Sequence, residues 1–458
     1  AELDTTVVVK SFREPTRNSP EVIAKRIGAG KAKQYLMPDG GNGPQYLVNR
    51  YASDIANNKS QFVLFCGAEA MATGRKLVKE TGQQPEWGEA SDKDPTYLIA
   101  DEPMYSNHEK ANGMWRANGF YAMSENAMRH HANKSIEAHQ LDMGKLFARF
   151  TQVAAKSPYA WYPTERTPEE IAWPSEGNRF VAWPYTKYMN AMNQINQSAA
   201  LLLTSVAQAK RMGVDKNKFI YLHGCADTKE LPVATRPNFY TSDAMRVMAE
   251  QVFAGNSLTM ADISHIDFYS CFPAAVQMAR DNFGMAPDDP RSLTVTGGLP
   301  FHGGAGSNYV MNSIAATCEK LRDDSGSYGL VTANGGYFSK HAAGIYSTNP
   351  TQGEWRRTNP ADYQRQIDAI PQVSFTENPE GEATIETYTV FYGRDGQPSS
   401  ATIVGRLGDL DDPEASRFFS ILNGDTATME AMTKEDMIGA KGRVAQAGGS
   451  NRYALTLL

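Results

Sequence analysis

Phe62-Val-Leu-Phe-Cys-Gly-Ala-Glu-Ala-Met71 begins with five consecutive apolar residues and ends in a small-residue turn. A short apolar run without alternation predicts a strand covered on both faces. Just upstream, Tyr46, Leu47, Ile55 and Ala56, with Val48 and Tyr51 between, suit a buried helix after the turn Asp39-Gly-Gly-Asn-Gly-Pro44. Helix followed by buried strand is the signature of an α/β chain. The alternation returns downstream: a helix over 207–212 before Phe219-Ile-Tyr-Leu-His223, a helix over 242–253 before a strand at 263–269, a helix over 274–283 before Leu293-Thr-Val-Thr296, and a helix over 309–321 before Gly329-Leu-Val-Thr-Ala333. These repeats predict a large parallel or mixed sheet between helices.

Two stretches have a different texture. Residues 83–178, rich in Trp, Tyr, His, Met, Glu and Pro, read as a helical insertion. After the polar, Pro-bearing stretch 347–371, the chain alternates with period two around the turn Arg394-Asp-Gly396, from Ala383 to Tyr392, Ala401 to Arg406 and Ala454 to Leu457. That pattern predicts a small β domain of OB type.

The 458 residues allow two to three domains, and 41% apolar with 21% charged residues excludes a disordered, collagen-like or coiled-coil chain. The longest apolar stretch, around Ala199 to Leu203, is far short of a spanning helix, so no membrane span is expected. A net charge of −6 without basic blocks argues against a nucleic-acid partner. Four cysteines with no CxxC pair support neither a disulfide framework nor a zinc site, and suggest a reducing cytoplasm. His130, His131 and His139 lack metal-ligand spacing, so no metal is expected. The first residues lack the layout of a signal peptide.

Three Gly-rich turns stand at strand ends or helix starts: Gly40 to Pro44, Gly297-Gly-Leu-Pro-Phe-His-Gly-Gly-Ala-Gly306, and Asn334-Gly-Gly336. Such turns let backbone N–H groups approach a ligand or a developing oxyanion. Taken singly, each is also explained by a tight turn. None is a phosphate loop: Gly30-Lys31 lacks the Walker pattern, and no GxGxxG follows a strand. His302, between glycines, is the most informative histidine; His341, beyond Asn334-Gly-Gly336, is a weaker second. Cys271, in Tyr269-Ser-Cys-Phe-Pro273, lies at a strand–helix junction where a thiol can be acidified, and a buried inert thiol fits equally.

Combined, these turns resemble the thiolase superfamily over essentially the whole chain, in particular its sterol-carrier-protein-like branch and the acetyl-CoA acetyltransferase-like proteins called thiolase-like type 1. Gly67-Ala-Glu-Ala-Met71 is similar to the family's GxExM turn, Tyr269-Ser-Cys-Phe272 to its NEAF or HDCF loop, Gly297 to Gly306 to its GHP loop, and Thr332-Ala-Asn-Gly-Gly336 to its CxG loop. The resemblance implies a layered αβαβα thiolase fold of two similar halves, here 1–205 with the insertion and 206–371, followed by the OB-like domain at 372–458. It also implies that a strand and helix preceding the start of this sequence are missing, truncating the first half.

The departures bear on chemistry. The family's nucleophilic cysteine falls at Gly41, its acid/base cysteine at Ala333, and its NEAF asparagine at Tyr269, while the GHP histidine is retained as His302. Glycine has no side chain to acylate, so no acyl-enzyme forms by the usual route. The resemblance thus implies a protein of lipid metabolism that binds an acyl thioester. His302, Cys271, Tyr269 and His341 are its candidate catalytic residues; Gly41, Asn42, Gly43, Gly303, Gly304, Asn334, Gly335 and Gly336 are its candidate substrate contacts. CoA or acyl-CoA is the expected ligand, with no tightly bound cofactor. Activity, if present, would be acyl transfer; the alternative is a catalytically inactive scaffold or regulatory protein. Monomer and homodimer both remain open.

Overall fold

The computed structural model describes residues 3–13, 16–85, 88 and 91–455. The chain opens with β1 (Thr5–Val9), α1 (Ser19–Arg26), β2 (Lys33–Met37), α2 (Gly43–Ala56), β3 (Phe62–Ala70) and α3 (Met71–Thr81). β1 is buried along its whole length because parallel neighbours β2 and β3 flank it, which explains its run of three valines. The insertion follows as α4 (Asn107–Ala111), α5 (Ala117–His131), α6 (Ile136–Ala154) and α7 (Pro168–Ala172). Ser106, Ser135 and Thr167 start α4, α6 and α7 by accepting a backbone N–H of the first turn. Two short strands, β4 (Phe180–Ala182) and β5 (Tyr185–Thr186), precede β6 (Asn196–Thr204), which runs antiparallel to β3. The first sheet has the order β2-β1-β3-β6.

The second half contains α8 (Val206–Arg211), β7 (Tyr221–Lys229), α9 (Asp243–Phe253), β8 (Ile263–Asp267), α10 (Pro273–Asn282), α11 (Tyr309–Asp323), β9 (Tyr328–Gly335), β10 (Lys340–Ser347) and α12 (Pro360–Asp368). Its strands are ordered β7-β10-β9-β8. The single large sheet expected from the alternation is therefore two four-stranded sheets. Helices α2 and α11 touch each other and strands of both sheets, while α9 and α12 pack on β7. This is the layered αβαβα arrangement. The alternation pointed to sheet between helices but could not show that the middle helices are shared.

Leu293 to Thr296, expected as a strand, is an irregular turn. Its backbone donors go to a side chain: the N–H groups of Val295 and Thr296 and the Thr294 hydroxyl all donate to Asp267 Oδ2. Asp267 also accepts from Ser313 and Tyr309 on α11. A buried carboxylate saturated in this way replaces a sheet ladder as the organiser of the turn.

The last unit comprises β11 (Gly381–Tyr392), β12 (Pro398–Leu407), β13 (Arg417–Leu422), α13 (Thr426–Ala431), β14 (Lys441–Ala447) and β15 (Ser450–Leu455). Residues 456 and 457 of the expected final strand lie outside the described residues. The order β12-β13-β15-β14-β11, with β11 pairing back to β12, closes these five strands into a small barrel of OB type. The barrel has its own apolar core, including Ile385, Tyr388, Ile403, Phe418 and Tyr453. It also recruits β4, through Phe391 opposite Ala182, and β5 beyond it. No helix among the described residues is long and apolar enough to cross a membrane.

Candidate functional site

Strand carboxyl ends from both sheets converge at one place, the usual position of a ligand site in α/β folds. β2 leads into the Gly40–Gly41 turn, β8 into Tyr269, and β9 into Asn334–Gly336. The turns are tied together directly. Gly40 N–H donates to Ser307 Oγ at 3.0 Å, joining the first turn to the end of the loop that carries His302. Asn308 Nδ2 donates to Gly67 O at 2.8 Å, bringing in the end of β3.

Gly41 is the tightest point. A Cβ at this position would collide with the Tyr269 hydroxyl and lie 2.5 Å from the Asn334 carbonyl oxygen. The phenol of Tyr269 thus fills the space where a side chain at 41 would project. Asn42 packs its carboxamide against the Cα of Gly335, and Gly43, in the first turn of α2, is buried beside Met37. Gly41, Asn42, Tyr269, Asn334 and Gly335 are therefore mutual neighbours.

Tyr269 packs edge-on against Tyr309, and Tyr309 against His302, with ring centroids 5.8 and 6.1 Å apart. His302 is buried, and neither ring nitrogen has a partner with hydrogen-bond geometry among the described residues. Burial pushes its pKa down to about 4, against the opposite pull of the Thr296 backbone, so the imidazole is neutral at pH 7. A neutral imidazole offers one donor and one acceptor. The Asp267 knot and Ser270 hold its loop in place: Leu299 N–H donates to Ser270 Oγ at 3.2 Å, and His302 N–H closes a turn on Gly298 O at 2.8 Å.

On the other side of Asn334 lies Tyr121, from insertion helix α5. Asn334 Nδ2 donates to Tyr121 Oη at 2.7 Å, and Tyr121 donates to Gly336 O at 3.0 Å. Asn334 Oδ1 is buried without a partner among the described residues. The Tyr121 ring lies between Phe272 and Phe338, and its hydroxyl is beside the Cys271 thiol. Burial pushes that thiol up to about 12, outweighing the opposite pull of its polar neighbours. Cys271 is a protonated thiol at neutral pH, not an activated nucleophile.

Gly303 and Gly304 face away from this cluster, toward Gln197 and Asn193. His341 stands apart as well. Its Nε2 lies 3.0 Å from Phe338 O and 3.5 Å from Ser242 Oγ, in a buried group with Glu230 and Arg236. Burial pushes it down to about 4, so it too is neutral. Among the described residues no group of three or more His, Cys, Asp or Glu side chains could hold a metal.

The sequence reading passed over Tyr121, Asp267, Tyr309 and Gln197. Asp267 carried a signal, being an acid between Ile266 and the aromatic pair Phe268-Tyr269. Tyr309 carried one too, as the first residue of a helix behind a Gly-rich loop. Tyr121 lies in the insertion, and only the tertiary fold brings it to the site.

Residues 362–449 match the family described as the thiolase-like protein type 1 additional C-terminal domain. Among solved structures, the chain is similar to a monomeric SCP2-thiolase-like protein type 1 from Mycobacterium smegmatis. The identity is 36% and the TM-score 0.85, over 99% of this chain and 89% of that one. An Ltp2–ChsH2(DUF35) aldolase shares the fold at 18% identity, with TM-score 0.54 over 75% of this chain and 87% of the other. The dimeric peroxisomal thiolase of Saccharomyces cerevisiae does so at 14%, with TM-score 0.53 over 76% and 85%. No curated protein matches the sequence.

Proposed function

Since this chain belongs to the SCP2-thiolase-like proteins of type 1, in the thiolase superfamily, we propose that it binds an acyl thioester such as acyl-CoA beside His302 without forming an acyl-enzyme at position 41. The observation that carries this reading is a buried, neutral His302 whose ring nitrogens have nothing close to them beyond the Thr296 backbone. A neutral ring N–H can donate to a thioester carbonyl and polarise it, and the low-dielectric surroundings strengthen that bond. Asn334 Oδ1 supplies a second unpaired acceptor across the cluster.

The same geometry opposes covalent catalysis. Position 41 offers no nucleophile, the Tyr269 phenol fills the adjoining space, and Cys271 holds its proton. Any turnover is therefore a direct transfer or another carbonyl step assisted by His302. Calorimetric titration of the full chain with CoA and acetyl-CoA tests the reading: saturable binding that weakens at least tenfold in His302→Ala is expected, and absence of binding refutes it. The second reading, an inactive scaffold, is favoured by the Tyr269 hydroxyl at Gly41. It predicts equal background hydrolysis of acetyl-CoA by wild type and His302→Ala.

A further inference from the structure

Outside the His302 loop lies an open cleft of about 530 Å3, within the range of small-molecule sites. Tyr159, Trp161, Asn196, Gln197, Ser198 and Asn312 line it, with no acidic or basic side chain. The wall segment is hydrogen-bonded to the His302 loop: Trp161 N–H donates to His302 O at 2.9 Å, and Tyr162 N–H to Phe301 O at 3.0 Å. Trp161 is further fixed by its indole N–H on Asn196 O at 3.0 Å. Both Trp161 and Tyr159 remain exposed, giving the cleft two aromatic faces.

Gln197 stands between this cleft and the His302–Gly303 peptide. Its Nε2 donates to His302 O at 2.9 Å and to Tyr159 O at 3.1 Å. Its Oε1 is buried without a partner among the described residues, directly over the Cα of Gly303. Gly303 has φ +127° and no Cβ; one placed there would sit 2.8 Å from that oxygen. The absent side chain at 303 is what lets the carboxamide act as a thin partition.

We propose that this cleft receives the acyl group of the thioester, and that the group is bulky and uncharged. The idea rests on the thioester reading above. A lining without cations gives the phosphates of CoA nothing to pair with, whereas aromatic walls and carboxamides suit an uncharged ring-bearing group. The shared hydrogen bonds end on the main chain of the His302 loop, so they place such a group against that loop, with Gln197 as the side chain between them.

The test is calorimetric titration with CoA, acetyl-CoA and benzoyl-CoA on wild type, Trp161→Ala and Ser198→Trp, each checked for an unchanged thermal transition. Ser198 is an exposed strand position, so a tryptophan there fills the cleft without entering the core. Wild type is expected to bind benzoyl-CoA at least tenfold more tightly than acetyl-CoA. Both variants are expected to lose that preference while binding CoA as before. If CoA binds but the preference is absent, or persists in both variants, the cleft assignment falls and the thioester reading stands. If no CoA species binds, both fall.

Discussion

Two carboxylates, one buried and one largely covered, organise this molecule, and their partners differ in kind. Asp267, at the end of β8, is surrounded by neutral donors from the 294–296 turn and from α11. Glu386, on β11, faces two guanidinium groups, Arg417 and Arg406. Burial raises the pKa of Asp267 and those hydrogen bonds only partly offset it. Burial opposes ionisation of Glu386 as well, but the two arginines outweigh it and hold the pKa below the usual range. One knot shapes a loop with hydrogen bonds alone. The other locks a domain: Arg417 Nη1 also donates to the carbonyls of Ala234 and Arg236, which belong to the thiolase core.

The comparison predicts unequal costs. Glu386→Ala leaves Arg417, fully buried, without its carboxylate and should cost about 3 to 5 kcal/mol in urea denaturation; a loss no greater than that of Asp267→Asn would erase the distinction. Next in size is an acid effect at His302. Its pKa falls from 6.5 to about 4 on folding, so the unfolded chain binds the extra proton first and stability drops as pH falls through this window. Between pH 7 and 4.5 wild type should lose about 2 to 3 kcal/mol more than His302→Gln.

Asp267→Asn should cost about 2 kcal/mol, because an amide cannot accept from every donor that now points at the carboxylate. The pH dependence sharpens the contrast. With a lowered folded pKa, Glu386 stabilises above its unfolded pKa and that contribution vanishes in acid, so the penalty of removing it shrinks as pH falls. With a raised folded pKa, Asp267 contributes most in acid, so the penalty of Asp267→Asn shrinks as pH rises. Slopes of the same sign would break the comparison. The smallest effect is a control on the barrel surface: Lys441 and Asp409 are both well exposed, and Lys441→Ala should leave the urea midpoint unchanged.

The sequence displays the site's glycine turns because each must pass close to another backbone or side chain, and glycine is the residue that does so. Gly41 against Tyr269 and Gly335 against Asn42 are cases where a missing side chain is itself the signal. The buried strand at Phe62 was legible for the related reason that two-sided burial removes polar residues. β6 was not: its residues alternate between exposed and half-buried, and Leu202 is 63% exposed, so periodicity points the wrong way. The Leu293–Thr296 turn was misread because β-branched residues signal a strand wherever they are packed, and here a carboxylate from another strand takes their N–H groups. The contribution of Tyr121 depends on a contact more than two hundred residues along the chain.

The pairing of β4 with β11 has a consequence for synthesis. Ala182 meets its partner Phe391 only about two hundred residues later. At bacterial or eukaryotic translation rates that is a wait of about 10 to 40 s. Throughout it the segment around β4, which includes the apolar Phe180 and Trp183, has no barrel to join. Until the last domain leaves the ribosome, the edge that β4 offers has no native strand to pair with.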